Sequence, residues 1–356
     1  MIGELRAGGS ERQLYYLLKT IDRARYHPEV VVWNFKETDT YVSPIRDLDV
    51  PIHGFAGKLS PIAKLMTFRR IVRGIKPQVV HSYSFHTNFA AFWGTQGIQS
   101  IAVGGVRSDF EWTKKESGAW LGKLSAYWPR KCIFNSSTAL QSVQCSKSWF
   151  TPKQCWVVRN GVDLELFRSE AAPNRTVTIL GVGSLFQVKR WDRLIAAAHV
   201  LKRARFDFRV CIAGDGPLRD SLKQQVQKLG LADCVEFIGE TKNVPKLMAN
   251  ATFLVHTADK EGCPNAVMEA MACGRAVVAT DAGDVPNIID DGVSGSVVPS
   301  GHQELLIDRI TTFIRNPQLC ATMGLAARAK AEREFGLETM IANMLSAYRS
   351  AGWNDR

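Results

Sequence analysis

The stretch EGCPNAVMEAMACGRAVVATDAGDVPNII (261–289) decides the fold. PNAVMEAMACG (264–274) reads as a helix whose first turn suits Pro264, and AVVATD (276–281) reads as a continuous apolar strand. The pattern repeats outward. TFLVHT (252–257) precedes it and GSVVP (295–299) follows. VTILGVGS (177–184), FRVCIAGDG (208–216) and VEFIGE (235–240) lie upstream, separated by helical patterns such as WDRLIAAAHVLKRA (191–204) and LRDSLKQQVQKLG (218–230). HQELLIDRITTFIRN (302–316) is a further helix. The first half carries a second series: strands EVVVW (29–33), QVVHSY (78–83), SIAVGG (100–105), KCIFN (131–135) and CWVVRNG (155–161), with a helix over SERQLYYLLKTIDRA (10–24). Apolar strands alternating with helices imply parallel sheets covered on both faces. The expected fold class is therefore α/β, with two doubly wound, Rossmann-like domains. The polar stretch LFRSEAAPNRT (166–176) reads as the linker between them.

Composition sets the outer bounds. The chain has 356 residues, 46% hydrophobic and 22% charged, which excludes disorder and a small disulfide scaffold. No run reaches the length of a transmembrane helix, and the charged first twenty residues do not read as a signal peptide. Eight scattered cysteines without a CxxC pair read as buried, reduced thiols of a cytoplasmic protein. The net charge of +11 is concentrated: residues 51–150 hold 13 Lys/Arg against 3 Asp/Glu, a net of +10. Two basic amphipathic stretches lie there. IAKLMTFRRIVRGIK (62–76) mixes an apolar face with Lys64, Arg69, Arg70, Arg73 and Lys76. DFEWTKKESGAWLGKLSAYWPRK (109–131) interleaves Trp112, Trp120, Tyr127 and Trp128 with Lys114, Lys115, Lys123 and Arg130. Such stretches suit an anionic membrane surface, or a helix that buries one side and solvates the other. No zinc-finger or RNA-binding signature accompanies the charge, so nucleic acid is not the expected partner.

The chemistry-bearing residues cluster where these predicted strands end. Glu261 and Glu269 are eight residues apart, one in a loop and one inside the following helix, and the amides of Gly262, Cys263 and Asn265 gather at that helix's N-terminus. Amides plus the positive dipole end form an anion site, and flanking carboxylates accept hydrogen bonds from hydroxyls. A diphosphate with a sugar on either side satisfies all of them. Taken alone, two glutamates at this spacing are common; the neighbouring turns give them weight. In VGSLFQVKRWD (182–192), Gly183 and Ser184 end a strand and Lys189 offers a compact cation to a phosphate. Phe186 stands where a dinucleotide fingerprint needs its third glycine, which rejects a dehydrogenase. Gly214 and Asp215 form another strand–helix turn, and Ile238–Gly239 a third. Open α/β sheets bind ligands at such ends.

These motifs resemble those of the group-1 retaining glycosyltransferases (family 4) with the GT-B fold. The matching runs are VVRNGVD (157–163), VGSLFQVKRWD, AGDGPLRDSL (213–222), 261–289 and DGVSGSVVP (291–299), with AGGSERQ (7–13), VVHSYSFHTN (79–88), GGVRSDF (104–110) and FNSS (134–137) in the first half. The resemblance implies an acceptor-side domain over 1–165, a donor-binding domain over 172–336, and a terminal helix within 337–356 that returns to the first domain, the two domains facing a cleft. It implies that Lys189 binds the diphosphate and neutralises the leaving nucleotide. Glu269 holds the ribose, Glu261 lies near the transferred sugar, and the 262–265 backbone meets sugar and phosphate. Gly183, Ser184, Gly214 and Asp215 complete the donor site, with Ile238–Gly239 facing the nucleobase. Gly8 and Gly9 form the first-domain turn; His86, with Tyr83 or His81 as alternatives, lies near the reacting sugar. Arg107 binds an acidic acceptor or pairs within its domain.

Two departures stand out. Relatives place Arg where this chain has Ser184, so one of two expected phosphate cations is absent, and Arg190 or Lys189 is left to compensate. Only six residues precede the AGGSERQ turn, whose helix Ser10 is expected to cap, so the first strand of that sheet reads as truncated. The implied activity is metal-independent transfer of a sugar from a nucleotide-diphosphate donor to a saccharide or lipid-linked acceptor in cell-surface polysaccharide or glycolipid synthesis. It would take place in the cytoplasm or on the inner face of the cytoplasmic membrane, through the basic block 58–131. A nucleotide-sugar epimerase, a phosphorylase and a non-catalytic nucleotide-sugar-binding protein are the alternatives.

Overall fold

Each apolar run named in the second half forms a strand in the computed structural model, which describes residues 1–55, 59–146, 148–168 and 176–355. In the first half the strands are β1 (Val30–Val32), β2 (Ile52–Gly54), β3 (Val79–His81), β4 (Ile101–Val106), β5 (Lys131–Phe134) and β6 (Gln154–Val157). In the second they are β7 (Val177–Val182), β8 (Phe208–Ala213), β9 (Val235–Gly239), β10 (Phe253–His256), β11 (Ala276–Thr280) and β12 (Ser296–Val298). The chain divides into two compact units, Met1–Gly161 with Leu337–Arg356, and Val162–Gly336. The division falls at Gly161/Val162, ahead of the stretch 166–176 read as a linker; of that stretch, 169–175 lie outside the described residues, as does Lys58 at the start of the basic block.

The second unit is one parallel sheet in the order β12-β11-β10-β7-β8-β9. Strand order reverses between β7 and β10, which pair through Phe253↔Ile179 and Leu254↔Leu180. That is the topological switch point, where an open α/β sheet presents its ligand crevice. The central strands β7, β10 and β11 are covered on both faces; Ile179, Phe253, Val255 and Val278 pack on one side, Leu180, Leu254, Val277 and Ala279 on the other, while β8 and β9 expose Arg209 and Glu236. Continuous apolar sequence is what such strands require.

The first unit has a two-stranded sheet, β1-β2, and a four-stranded sheet, β3-β4-β5-β6, all parallel. Met1–Gly3 runs between β1 and β3. Ile2 N donates to Val31 O at 2.9 Å and Trp33 N to Ile2 O at 2.9 Å, while Tyr83 N donates to Met1 O at 2.7 Å. Three residues thus fill the place of the strand that reads as truncated, with Ile2 and Leu5 fully buried. The following helix spans Gly9–Thr20, shorter than expected at its C-terminal end, and Gly8 rather than Ser10 stands at its N-cap position. Its Leu14, Leu17 and Leu18 pack with Leu337, Met340, Ile341 and Met344 of the terminal helix Leu337–Ser350.

The basic stretch 62–76 lies on the helix Pro61–Ile75, which Ser60 caps through Ala63 N at 3.2 Å; Phe68 and Val72 are buried while Ile62 and Met66 are exposed. The stretch 109–131 forms two short helices, Phe110–Glu116 and Ala119–Tyr127. Trp120 is 80% exposed, with Leu121, Leu124 and Trp112 also exposed. All eight cysteines are free; Cys132, Cys263, Cys273 and Cys320 are buried, but Cys145 is exposed and Cys155, Cys211 and Cys234 are half-buried, so the uniform burial expected of them does not hold. No helix among the described residues is long and apolar enough to cross a membrane.

Candidate functional site

The site in the second unit grows from the ends of β7 and β10. After β7 the chain passes Gly183, Ser184 and Leu185, makes a short 3-10 turn over Gln187–Lys189, and enters the helix Trp191–Arg203 through Arg190, whose backbone is left-handed. Trp191 is 2% exposed and its Nε1 donates to Ser184 O at 3.0 Å, so a buried ring anchors this loop. Removing such a side chain costs about 3–5 kcal/mol. The neighbouring turn backs the loop closely. Gly214 has φ +143°, and a Cβ there would lie 2.0 Å from Gly183 O. Leu185 N donates to Asp215 O at 2.9 Å, and Gly214 N to Gly239 O at 2.8 Å. Gly183, Ser184, Gly214, Asp215, Ile238 and Gly239 are thereby held at one end of the sheet. The Asp215 side chain pairs with Arg219.

The β10 loop is stitched to the same turn. Thr257 Oγ1 donates to Lys189 O at 2.9 Å, and Asp259 N to Val188 O at 2.9 Å. Asp259 also binds Arg190 at 3.0 Å and Arg193 at 2.6 Å. Arg190 is further held by Asp192 at 2.9 Å, so it is taken up by carboxylates and is not a free replacement for the cation missing at Ser184.

The result is a contact between residues 72 positions apart: Lys189 Nζ forms an ion pair with Glu261 Oε1. His256 Nε2, at the end of β10, lies 3.0 Å from the same oxygen. Burial acts to raise the Glu261 carboxyl, but the Lys189 charge and the His256 hydrogen bond outweigh it and bring it down to about 2. Directly after Glu261, Gly262–Pro264 leads into the helix Asn265–Ala272, with Pro264 at its N-cap rather than inside its first turn. Asp284 N donates to Gly262 O at 2.9 Å, which fixes the approach. The Cys263 thiol lies 3.3 Å from Met268 Sδ. Glu269, in the same helix, is 4% exposed.

The first-unit residues form their own groupings. The Glu11 carboxylate folds back over the start of the helix Gly9–Thr20; a Cβ on Gly8 would lie 2.2 Å from it. Burial raises the Glu11 carboxyl, opposed by its backbone hydrogen bond and by Arg107. This third-position glutamate is the capping partner expected at such a helix start. Arg107 lies 4.0 Å over the Tyr83 ring and donates to Asn160 at 3.4 Å, so it pairs inside its unit. Tyr83 is buried, which raises its phenol. His81 is buried with Nδ1 2.8 Å from Tyr348 Oη, a link to the terminal helix. His86, in the turn Phe85–Thr87, lies close against Gly3; burial lowers its imidazole, Glu4 acting against and Lys64 with it. Sequence reading missed Glu11 and His256. The signal for His256 was its place as the last residue of a strand at the switch point.

The family model for glycosyl transferases group 1 matches residues 163–330, and that for glycosyltransferase family 4 matches residues 7–166. The chain belongs to the group 1 glycosyltransferases. Its fold is GT-B. The crystal structure of Anabaena HepE in complex with UDP superposes with a TM-score of 0.82 at 20% identity, covering 98% of each chain. Among curated relatives of this glycosyltransferase, the amylovoran biosynthesis glycosyltransferase AmsK of Erwinia amylovora is 32% identical over 189 residues, 50% of this chain and 46% of AmsK. The alpha-maltose-1-phosphate synthase of Mycobacterium tuberculosis is 28% identical over 310 residues, 76% of this chain and 78% of the synthase. The match thus spans about half the length of AmsK and more than two thirds of the synthase.

Proposed function

We propose that this glycosyltransferase moves a sugar, with retention at the anomeric carbon, from a nucleotide-diphosphate donor to a saccharide or lipid-linked acceptor. The observation that carries the reading is the meeting of Lys189 and Glu261 at the β7/β10 switch point, beside the N-terminus of the helix Asn265–Ala272. Lys189 and the helix-end amides bind the diphosphate and offset the charge that grows on the leaving nucleotide. Ser184 contributes a hydroxyl where relatives carry a second cation. Glu269 grips the ribose hydroxyls, Glu261 those of the transferred sugar, and Ile238–Gly239 meets the base. No protein nucleophile takes part. His86 serves the acceptor side, and Gly8, Gly9, Tyr83 and Arg107 are assigned to that side with it. A cation and oriented amides do the electrostatic work that a divalent metal does elsewhere, so the reaction needs none.

The products belong to cell-surface polysaccharide or glycolipid assembly. Supporting this are relatives named for amylovoran biosynthesis and, in Rhizobium leguminosarum, for lipopolysaccharide core biosynthesis as a mannosyltransferase. The basic aromatic block 58–131 rests on an anionic membrane surface where lipid-linked acceptors reside; exposed Trp120, Leu121 and Leu124 beside Lys114, Lys115 and Lys123 support that placement.

The test is thermal stabilisation by a panel of UDP-, ADP-, GDP- and dTDP-sugars, followed by NMR of the product anomer with lipid-linked saccharide acceptors. A bound ligand at 100 times its Kd adds about 2.7 kcal/mol of stability. Stabilisation by one nucleotide class, lost in Lys189→Ala, is expected. No stabilisation by any of them refutes the donor site; binding without turnover on any acceptor turns the reading to a non-catalytic nucleotide-sugar-binding protein.

A further inference from the structure

We propose that His256 is a positioning residue for the donor sugar: it holds the Glu261 carboxylate in place while Lys189 moves from that carboxylate to the donor diphosphate. The inference rests on the donor-site reading above. Its starting point is a conflict inside the site. The ammonium needed for a diphosphate is already paired, to the very carboxylate assigned to the sugar. Lys189 sits in a short 3-10 turn at the end of a flexible four-carbon stem, and an ammonium with three donors can swing to a more highly charged anion. Glu261 then keeps its charge with its side chain only 14% exposed, and a buried carboxylate stripped of its partner is strongly disfavoured.

His256 answers that need. It is 2% exposed and donates from Nε2 to the oxygen that Lys189 leaves, at 3.0 Å. Its other ring nitrogen, Nδ1, is buried with no hydrogen-bond partner. A ring N–H at Nε2 pointed at the carboxylate satisfies Glu261, an acceptor-only group when ionised. The residue cannot follow Lys189. It is the last residue of β10, pairs in register with Ala279 of β11, and lies in a strand flanked on its other side by β7. Of the two groups that meet Glu261 Oε1, one is on a swinging stem and the other is built into the sheet. The pair therefore divides the work: Lys189 serves as the exchangeable partner, and His256 preserves the geometry that the sugar hydroxyls meet.

The experiment compares His256→Leu, His256→Asn and His256→Gln with wild type by calorimetric titration. The ligands are the nucleotide sugar, among UDP-, ADP- and GDP-hexoses, that stabilises wild type most, and its bare nucleoside diphosphate. Gln extends an amide N–H toward Glu261; Asn is too short, and Leu has none. The nucleoside diphosphate Kd is expected to stay within about 3-fold of wild type in all three variants. The nucleotide-sugar Kd is expected to rise about 10-fold in the Leu and Asn variants and to return to within about 3-fold of wild type with Gln. In a Glu261→Gln background, adding His256→Asn should change neither value further. Equal nucleotide-sugar affinity in the Asn and Gln variants overturns the proposal, as does an added loss in the Glu261→Gln background, or a wild type that binds the sugar-bearing and bare ligands equally. These comparisons decide the matter even if the Leu variant fails to fold. A wild type that none of the nucleotide sugars stabilises refutes the donor-site reading itself, at an earlier and separate step.

Discussion

Replacing Glu261 with Gln should abolish a specific share of the protein's resistance to acid. The Glu261 carboxyl stands at about 2 in the folded chain against its usual 4.5, burial being outweighed by Lys189 and His256. A lowered folded value means that the stabilisation is fully present above the unfolded value of 4.5 and disappears as pH falls through the folded value. The difference corresponds to about 3 kcal/mol in full, of which about 2 kcal/mol is gone by about pH 3. The side chains are 21% exposed at Lys189 and 14% at Glu261, so solvent screening takes only a small part of it. The assay is urea unfolding of wild type and Glu261→Gln at a series of pH values, read by pulsed hydrogen exchange of the β10 amides so that only the second unit is followed. Wild type should exceed the variant at pH 7, and the gap should close by about 2 kcal/mol between pH 7 and pH 3. A gap that stays constant, or widens in acid, refutes the claim that the ion pair holds this carboxyl ionised.

Glu269→Gln should weaken nucleoside diphosphate binding about 10-fold, the loss expected for hydrogen bonds from ribose hydroxyls to a charged group, and titration calorimetry reads it directly. Unchanged affinity would remove Glu269 from the ribose. Transfer rates measured with and without EDTA should agree within error, whereas a rate that collapses on chelation and recovers with a divalent cation would overturn metal independence. Replacing Lys114, Lys115 and Lys123 with Glu should sharply reduce sedimentation with vesicles rich in anionic lipid and leave nucleotide binding intact, since about 1 kcal/mol of surface attraction accompanies each basic residue. Undiminished sedimentation would dissociate the basic block from the membrane.

Much of the second unit was readable in the sequence because its central strands are covered on both faces, and that demands uninterrupted apolar runs such as those at 177–182 and 276–280. Lys189 and Glu261 were readable for a related reason: both follow strand ends, and parallel strands bring their ends to one edge. The strand at Ile52–Gly54 escaped notice because it is three residues of middling burial. The role of Met1–Gly3 escaped because its partners, near residues 31 and 82, come from sheet order rather than local pattern. Arg190 looked like a spare cation, but Asp192 and Asp259 claim it, and only the folded loop brings Asp259 within reach. His256 was hidden in plain view as one more residue of a strand; its meaning depends on a carboxylate five positions on that turns back to meet it.

The chain crosses between its units twice, after Gly161 and again after Gly336, and Val162 N donates to Phe335 O at 2.8 Å where the two crossings run side by side. The second unit is contiguous, while the first takes Leu337, Met340, Ile341 and Met344 from a helix that follows the second unit in the chain. During synthesis on a ribosome, the later-encoded unit therefore has all of its residues before the earlier one, which stays incomplete until the helix Leu337–Ser350 has emerged.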